Sequence, residues 1–274
     1  MAVDRTSPET GVLADDEGLT DTGRYLFDLH GHLVIEDVLS PDEVDTLNEL
    51  IDQQELPEPP KDSAAGRFND FLEWGEPFCD LLDHDVIMAV LEELLGDGFR
   101  LDHYYGIYLR EGTGTLNLHG GGTPYDPPEY FHFEDIGMVN GLTVVSWNLR
   151  DTGPEHGGFC CLPGSHKANY PYPDTIAEAH AGATTLEEEP DELVVPEGPA
   201  GSVTIFTEAL THGTTPWVAE HNRRSLLYKY SPAQQSWSSS YPDPPTSVDL
   251  TERQETLFEP PYHHGRPSLF EDTE

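Results

Sequence analysis

From Phe99 onward, turn residues cut the chain into short β-branched and aromatic stretches, and that rhythm limits the fold more than any other feature. Residues 100–110, 142–149, 158–162, 193–195, 202–207 and 224–230 each read as a strand. Polar insertions, chiefly 119–129 and 167–190, lie between them. Ahead of this run, residues 25–38 predict a short strand centred on Leu33, Val34 and Ile35. A helix start follows: Ser40 is a good N-cap, Pro41 suits the first helical position, and Glu43 completes a capping box. Val44, Leu47, Leu50 and Ile51 recur at helical spacing, and the proline-rich stretch 56–61 ends the helix. Residues 85–95 predict a second amphipathic helix closed by Gly96. Helices first and strands after predict a mainly β fold with flanking helices. Its core would be a double-stranded β-helix, or cupin-like jelly roll, with the N-terminal helices packed outside.

The charge balance narrows the partners. The chain of 274 residues carries 52 Asp+Glu against 13 Lys+Arg, formally −39. That excludes a nucleic-acid footprint and repels anionic membranes. Such acidity also suits disorder, but 36% hydrophobic residues with 4 Trp, 12 Tyr and 11 Phe argue for a packed core. The only lysines are Lys61, Lys167 and Lys229. A folded, lysine-poor, acidic chain is expected in the cytoplasm of a halophile, where salt screens self-repulsion. Cys79, Cys160 and Cys161 are too few and too irregular for a disulfide framework, and the vicinal pair reads as buried strand. No apolar run reaches membrane-spanning length. Residues 1–23 are acidic without an apolar signal-type stretch and are expected to form a flexible arm. Residues 24–232 would form the domain, and 233–274 an extension wrapped on it as ordered loop.

Three histidines and an arginine carry the chemistry. His132-Phe133-Glu134 puts a histidine and a carboxylate two positions apart, so both face one side of a strand. His212 comes much later, with Arg223 eleven positions after it. Two histidines and a carboxylate leave Fe(II) open positions for a co-substrate and O2. Nucleotide-binding glycine loops, G-x-S-x-G and C-x-x-C are absent.

The order of these pieces resembles the phytanoyl-CoA dioxygenase family of Fe(II)/2-oxoglutarate-dependent oxygenases, over roughly Tyr25 to Pro232. Residues 27–51, with His30-Gly31, look like the family's opening strand and capped helix. Trp147-Asn148-Leu149, then Gly157-Gly158, resemble its core strand and turn. Pro163-Gly164-Ser165-His166-Lys167 matches its proline-glycine-serine-histidine signature, and Gly201–Phe206 leads to the distal histidine. The resemblance implies that His212 binds iron and that Arg223 clamps the carboxylate of 2-oxoglutarate. Arg223 is preferred to Arg224 because Leu226 falls on the family's apolar strand position. A bidentate guanidinium–carboxylate pair explains arginine rather than lysine there. His166 is expected to fix loop backbone, not to bind metal.

The chain departs from the family at H-x-D. His132 with Glu134 supplies a complete triad and is the first expectation. His119, in Leu118-His119-Gly120-Gly121, is the alternative to His132, with glycine where the carboxylate belongs. A site on His119 either takes Glu134 from elsewhere or lacks a protein carboxylate; H-x-G resembles the family's iron halogenases, where chloride fills that position. The expected function is hydroxylation of a small metabolite at an unactivated C–H bond, with Fe(II), 2-oxoglutarate and O2. An acyl-CoA substrate is disfavoured because residues 119–129 offer no cation for its phosphates. The alternatives are a halogenase-like enzyme and a non-catalytic jelly-roll binding protein.

Overall fold

The computed structural model describes residues 12–60, 66–120, 127–135 and 137–270. A hairpin, β1 (Ala14–Asp15) and β2 (Gly18–Leu19), leads into helix α1 (Asp21–His30). Thr20 caps α1 by accepting from the Gly23 N–H, and Gly31 ends it in the left-handed region at φ 81°. Strand β3 (His32–Ile35) follows. The strand expected over 25–38 is therefore helix in its first half. Its N-cap lies in the segment read as a flexible arm, and Gly31 is a helix stop rather than part of a strand. Residues 12–23 are not a loose arm: Ala14, Leu19 and Gly23 are buried, and Arg24 pairs with Glu93.

Helix α2 (Pro41–Asp52) begins with the expected capping box, in which the Glu43 carboxylate accepts from the Ser40 N–H at 2.8 Å. Such a cap is worth about 1 kcal/mol. Its apolar stripe buries Val44, Leu47 and Ile51. Strand β4 (Arg67–Phe68), the short α3 (Glu76–Cys79) and α4 (Asp85–Leu95) follow, the last burying Ile87, Val90, Leu91 and Leu94. Then come β5 (Arg100–Leu109), β6 (Leu116–His119), the hairpin β7 (Phe131–Glu134) and β8 (Gly137–Asn140), β9 (Thr143–Asn148) and β10 (Phe159–Cys161). Helix α5 (Asp174–Gly182), strands β11 (Val203–Thr207), β12 (His212–Thr214) and β13 (Arg223–Ser231), and helix α6 (Glu252–Leu257) complete the order. Residues 193–195, expected as a strand, make only a bridge from Val194 to Cys161.

Two antiparallel sheets make the jelly-roll sandwich. The major sheet runs β3-β11-β9-β13-β5-β4 and the minor sheet β10-β12-β6. Strand alternation sorts their side chains. Val145, Trp147, Ile205, Leu226 and Tyr228 face outward into a core shared with the helices. Val144, Phe206 and Leu227 face inward, toward Phe159, Cys161 and Leu210 of the minor-sheet side. The extension after residue 232 is more than surface loop, since α6 and its flanks bury Leu257, Phe258 and Leu269 in the outer core. Cys160 and Cys161 are buried free thiols on β10, one facing each side of the minor sheet.

Candidate active site

Strands β6 and β12 pair antiparallel so that His119 stands opposite His212. Their ring centroids are 4.2 Å apart. Each ring is held the same way: His119 Nδ1 lies 2.9 Å from the Asn117 carbonyl and His212 Nδ1 lies 2.8 Å from the Leu210 carbonyl. A carbonyl only accepts, so in both rings Nδ1 carries the proton and Nε2 presents its lone pair. This is how metal-ligating histidines are oriented. Burial pushes the His212 imidazole down to about 4, against the opposing pull of Glu208. His180 of α5 is a contrast. Its Nδ1 meets the Glu189 carboxylate at 2.7 Å and its Nε2 donates to the Leu116 carbonyl at 2.9 Å. Both nitrogens are used, so this buried histidine pins α5 to β6, the strand that carries His119.

Gly120 lets the chain leave β6 over the β11–β12 turn. Its φ is 75°, and a Cβ there would lie 2.5 Å from the Glu208 carbonyl oxygen and 2.7 Å from that of Leu210. Only glycine fits. Gly121, the position that H-x-G leaves without a carboxylate, lies outside the described residues.

Glu208 occupies that turn with 3% of its surface exposed. Burial alone would raise its carboxyl; Lys229, His212 and His119 outweigh burial and hold it at about 2. The Glu208 Oε1 pairs with Lys229 Nζ, and Oε2 stands 3.9 Å from His212 Nε2. Burial also works against the Lys229 ammonium, and the Glu208 charge overcomes it, raising the lysine pKa.

The two arginines that open β13 part company, as alternation requires. Arg223 points between the sheets, where its Nε has a long contact of 3.4 Å to Ser225 Oγ. Its Nη1 is buried without a hydrogen-bond partner. Gly158 lies against the guanidinium; a Cβ there would be 3.7 Å from its central carbon. Burial lowers the Arg223 pKa to about 10. Arg224 points the other way, donating to Asn48 Oδ1 at 3.1 Å and to Asp52 at 2.5 Å. Asn148, between the sheets near Ser225, donates to Ser202 and Thr204.

His132 and Glu134 are elsewhere. Hairpin β7–β8 belongs to neither sheet of the sandwich. Only Phe131 of β7 is buried, packed 4.6 Å from the His166 ring, while His132 and Glu134 are exposed. The period-two spacing of H-x-E is real, but it places both side chains on the hairpin's outer face. The hairpin therefore does not bring His132 and Glu134 onto the strand pair that holds His212; the histidine facing His212 is His119. His166 bonds the Asp28 carbonyl through Nε2 at 3.0 Å, tying the proline-glycine-serine-histidine turn to α1. Among the described residues no three His, Cys, Asp or Glu side chains are already drawn together at metal-binding distance.

The residues missed in the sequence are Glu208 and Lys229. Glu208 is one of 52 acids and carries no motif of its own. Lys229 had a signal: it is one of three lysines, set in the apolar run Leu226-Leu227-Tyr228-Lys229-Tyr230 on the same strand face as Arg223.

Residues 27–225 match the phytanoyl-CoA dioxygenase (PhyH) family along most of the chain. The chain belongs to the phytanoyl-CoA dioxygenase family. Its family and fold are those of the non-haem iron, 2-oxoglutarate-dependent oxygenases, which take Fe(II) as cofactor and 2-oxoglutarate as co-substrate. HygX from Streptomyces hygroscopicus, solved with nickel and 2-oxoglutarate, is 26% identical with a TM-score of 0.69, covering 80% of this chain and 89% of that one. SnoK, a carbocyclase from nogalamycin biosynthesis, shares the fold at 17% identity and a TM-score of 0.59, over 82% of this chain and 88% of that one. The probable alpha-ketoglutarate-dependent hypophosphite dioxygenase of Stutzerimonas stutzeri is 29% identical over 56% of this chain and 52% of its own length. The dioxygenase af480 of Aspergillus fumigatus is 27% identical over 60% of this chain and 48% of its own. The chain thus spans about half the length of these two relatives. No helix among the described residues is long and apolar enough to cross a membrane.

Proposed function

We propose that this phytanoyl-CoA dioxygenase-family protein is an Fe(II)/2-oxoglutarate-dependent oxygenase that hydroxylates a small metabolite at an unactivated C–H bond. One observation carries the reading: exposed His119 and buried His212 face each other across β6 and β12 with Nδ1 of each anchored to a carbonyl, in a sandwich whose interior holds Arg223 with its Nη1 lacking a partner. In this reading His119 and His212 bind iron and Arg223 receives the distal carboxylate of 2-oxoglutarate. Iron with 2-oxoglutarate supplies the oxidising power for O2 chemistry. The protein's share is placement. The backbone carbonyls of Asn117 and Leu210 fix ring orientation, and Gly158 leaves room beside the arginine. Burial of Arg223 strengthens a bidentate carboxylate contact. Hygromycin B sits with nickel and 2-oxoglutarate in HygX, a precedent for a small-molecule substrate.

The test is an anaerobic titration with Fe(II) and 2-oxoglutarate. The wild-type protein and His132→Ala should both develop a weak visible metal-to-ligand charge-transfer band, and His119→Ala and His212→Ala should not. An intact band in His119→Ala overturns this assignment. A substrate screen with chloride present separates hydroxylated from halogenated products, and an inert jelly roll gives neither band nor product.

We also propose a salt-rich cytoplasm as the setting, from the −39 charge. Thermal melts in rising KCl should move steeply upward as screening relieves self-repulsion. A melt that does not move between low and molar KCl contradicts this setting and leaves the enzyme reading intact.

A further inference from the structure

We propose that Glu208 is the carboxylate ligand of this metal centre, replacing the acid that H-x-D would supply two positions after His119, and that Lys229 is its positioning partner. The proposal rests on the reading of His119 and His212 as iron ligands and adds the third group, which the sequence motif lacks.

The geometry of His212 and Glu208 is the first support. His212 Nδ1 gives its proton to the Leu210 carbonyl, so the ring's Nε2 offers a lone pair. That lone pair faces Glu208 Oε2 at 3.9 Å, while the other carboxylate oxygen pairs with Lys229 Nζ. Two electron-rich atoms facing each other in a buried site repel unless a cation lies between them. Ligand atoms about 2.1 Å from a metal stand roughly 3 Å apart when adjacent and about 4 Å apart when opposite. The observed separation falls inside that range, so a small rotation of the carboxylate completes an adjacent pair.

The second support is how Glu208 is held. Its two oxygens have separate duties: Oε1 belongs to Lys229, and Oε2 is directed toward the histidines. The turn beneath it is fixed, with Glu208 N–H donating to the Leu142 carbonyl at 2.9 Å and Leu210 N–H to the Thr207 carbonyl at 2.9 Å. Glu208 and His212 thus come from one rigid E-x-x-x-H turn, and His119 comes across the β6–β12 register. Gly120 closes over that turn, because any side chain there would strike the Glu208 and Leu210 carbonyls. The glycine after His119 and the glutamate before His212 are two halves of one arrangement. Glu134, the acid of the alternative motif, is exposed on a separate hairpin.

Lys229 holds Oε1 of Glu208 through its ammonium and so fixes the carboxylate with Oε2 turned toward His212. It sits on β13 two alternations beyond Ser225, on the inward face shared with Arg223.

The test is metal binding, measured on the full-length protein by anaerobic equilibrium dialysis with Fe(II) and by the visible spectrum of the Co(II) form. Glu208→Gln should weaken binding by roughly a hundredfold or more, beyond the 10–100-fold typical of outer-shell changes. It should also change the Co(II) spectrum. Because the single change leaves Lys229 buried without its anion, the double variant Glu208→Gln/Lys229→Met is made beside it, with folding followed by circular dichroism. It should stay folded and show the same loss. Lys229→Met alone should cost roughly tenfold and shift the Co(II) bands, and Lys229→Arg should restore both. If the folded double variant binds metal like wild type with an unchanged Co(II) spectrum, Glu208 is not a ligand. In that case loss of binding in His119→Ala and His212→Ala leaves the oxygenase reading standing, and retention in those variants removes both.

Discussion

The two faces of β13 are built from one stretch of chain and obey opposite rules. On the outer face every polar tip is answered: Tyr228 Oη donates to the Phe78 carbonyl at 2.6 Å, Tyr230 Oη to the Leu82 carbonyl at 2.8 Å, and Arg224 to α2. On the inner face Arg223 keeps a buried nitrogen without a partner, and Lys229 serves one oxygen of Glu208 while the other faces His212. A buried polar group left incomplete destabilises a fold, and the one on Arg223 lies between the sheets, where the proposed co-substrate carboxylate would meet it. The outer face holds the helices on the sheet, and the inner face is built to receive something.

The largest effect that tests this contrast is at Arg223. Replacing it with leucine should raise the 2-oxoglutarate requirement by about 2–5 kcal/mol, roughly thirtyfold to several thousandfold, with metal binding retained. Its melting temperature should hold or rise, since an unpaired buried cation is removed. Arg224→Leu should do the reverse, lowering stability by about 1–3 kcal/mol while the 2-oxoglutarate titration stays put. If Arg224→Leu carries the co-substrate effect, the two faces have been assigned the wrong way round.

A pH series gives the next largest effect and concerns histidines outside the centre. Burial pushes His32 and His166 each down to about 4. The unfolded chain takes up these protons near pH 6.5 and the folded one does not. Their contribution is therefore complete above about pH 6.5 and is lost as pH falls toward 4. Urea midpoints should decline across that window, and less so in His166→Gln. A flat profile from pH 7 to 4.5 contradicts the burial of these rings.

Tyr228→Phe should give the smallest effect. It leaves the Phe78 carbonyl without its donor and should cost about 1 kcal/mol in chemical denaturation, with no change in metal or 2-oxoglutarate binding. Any change in binding would show that the sheet does not insulate one face from the other.

Much of this arrangement was legible in the residues. The capping box at Ser40 and Glu43, the apolar spacing of α4, and the long β-branched runs of β5, β9, β11 and β13 are local signals, and they placed α2, α4 and most of the major sheet, whereas α1 read as strand and α3, α5 and α6 went unread. Strand parity also separated Arg223 from Arg224. The minor sheet was harder to read. Leu116–His119 and His212–Thr214 are too short and too mixed in composition to announce themselves; pairing across the chain defines them. His132 followed a correct rule on the wrong element, because periodicity says which residues share a face but not what that face looks upon. Glu208 was hidden by the same acid excess that marks the whole protein.

The edge strand β3 has a consequence for how the protein is made. Ile35 pairs with Val203, and the outer core is finished only by Leu257 and Leu269. During synthesis β3 and the first helices leave the ribosome long before β11 exists to receive them, and contacts of such sequence separation form slowly. The nascent chain must therefore wait with apolar strands uncovered.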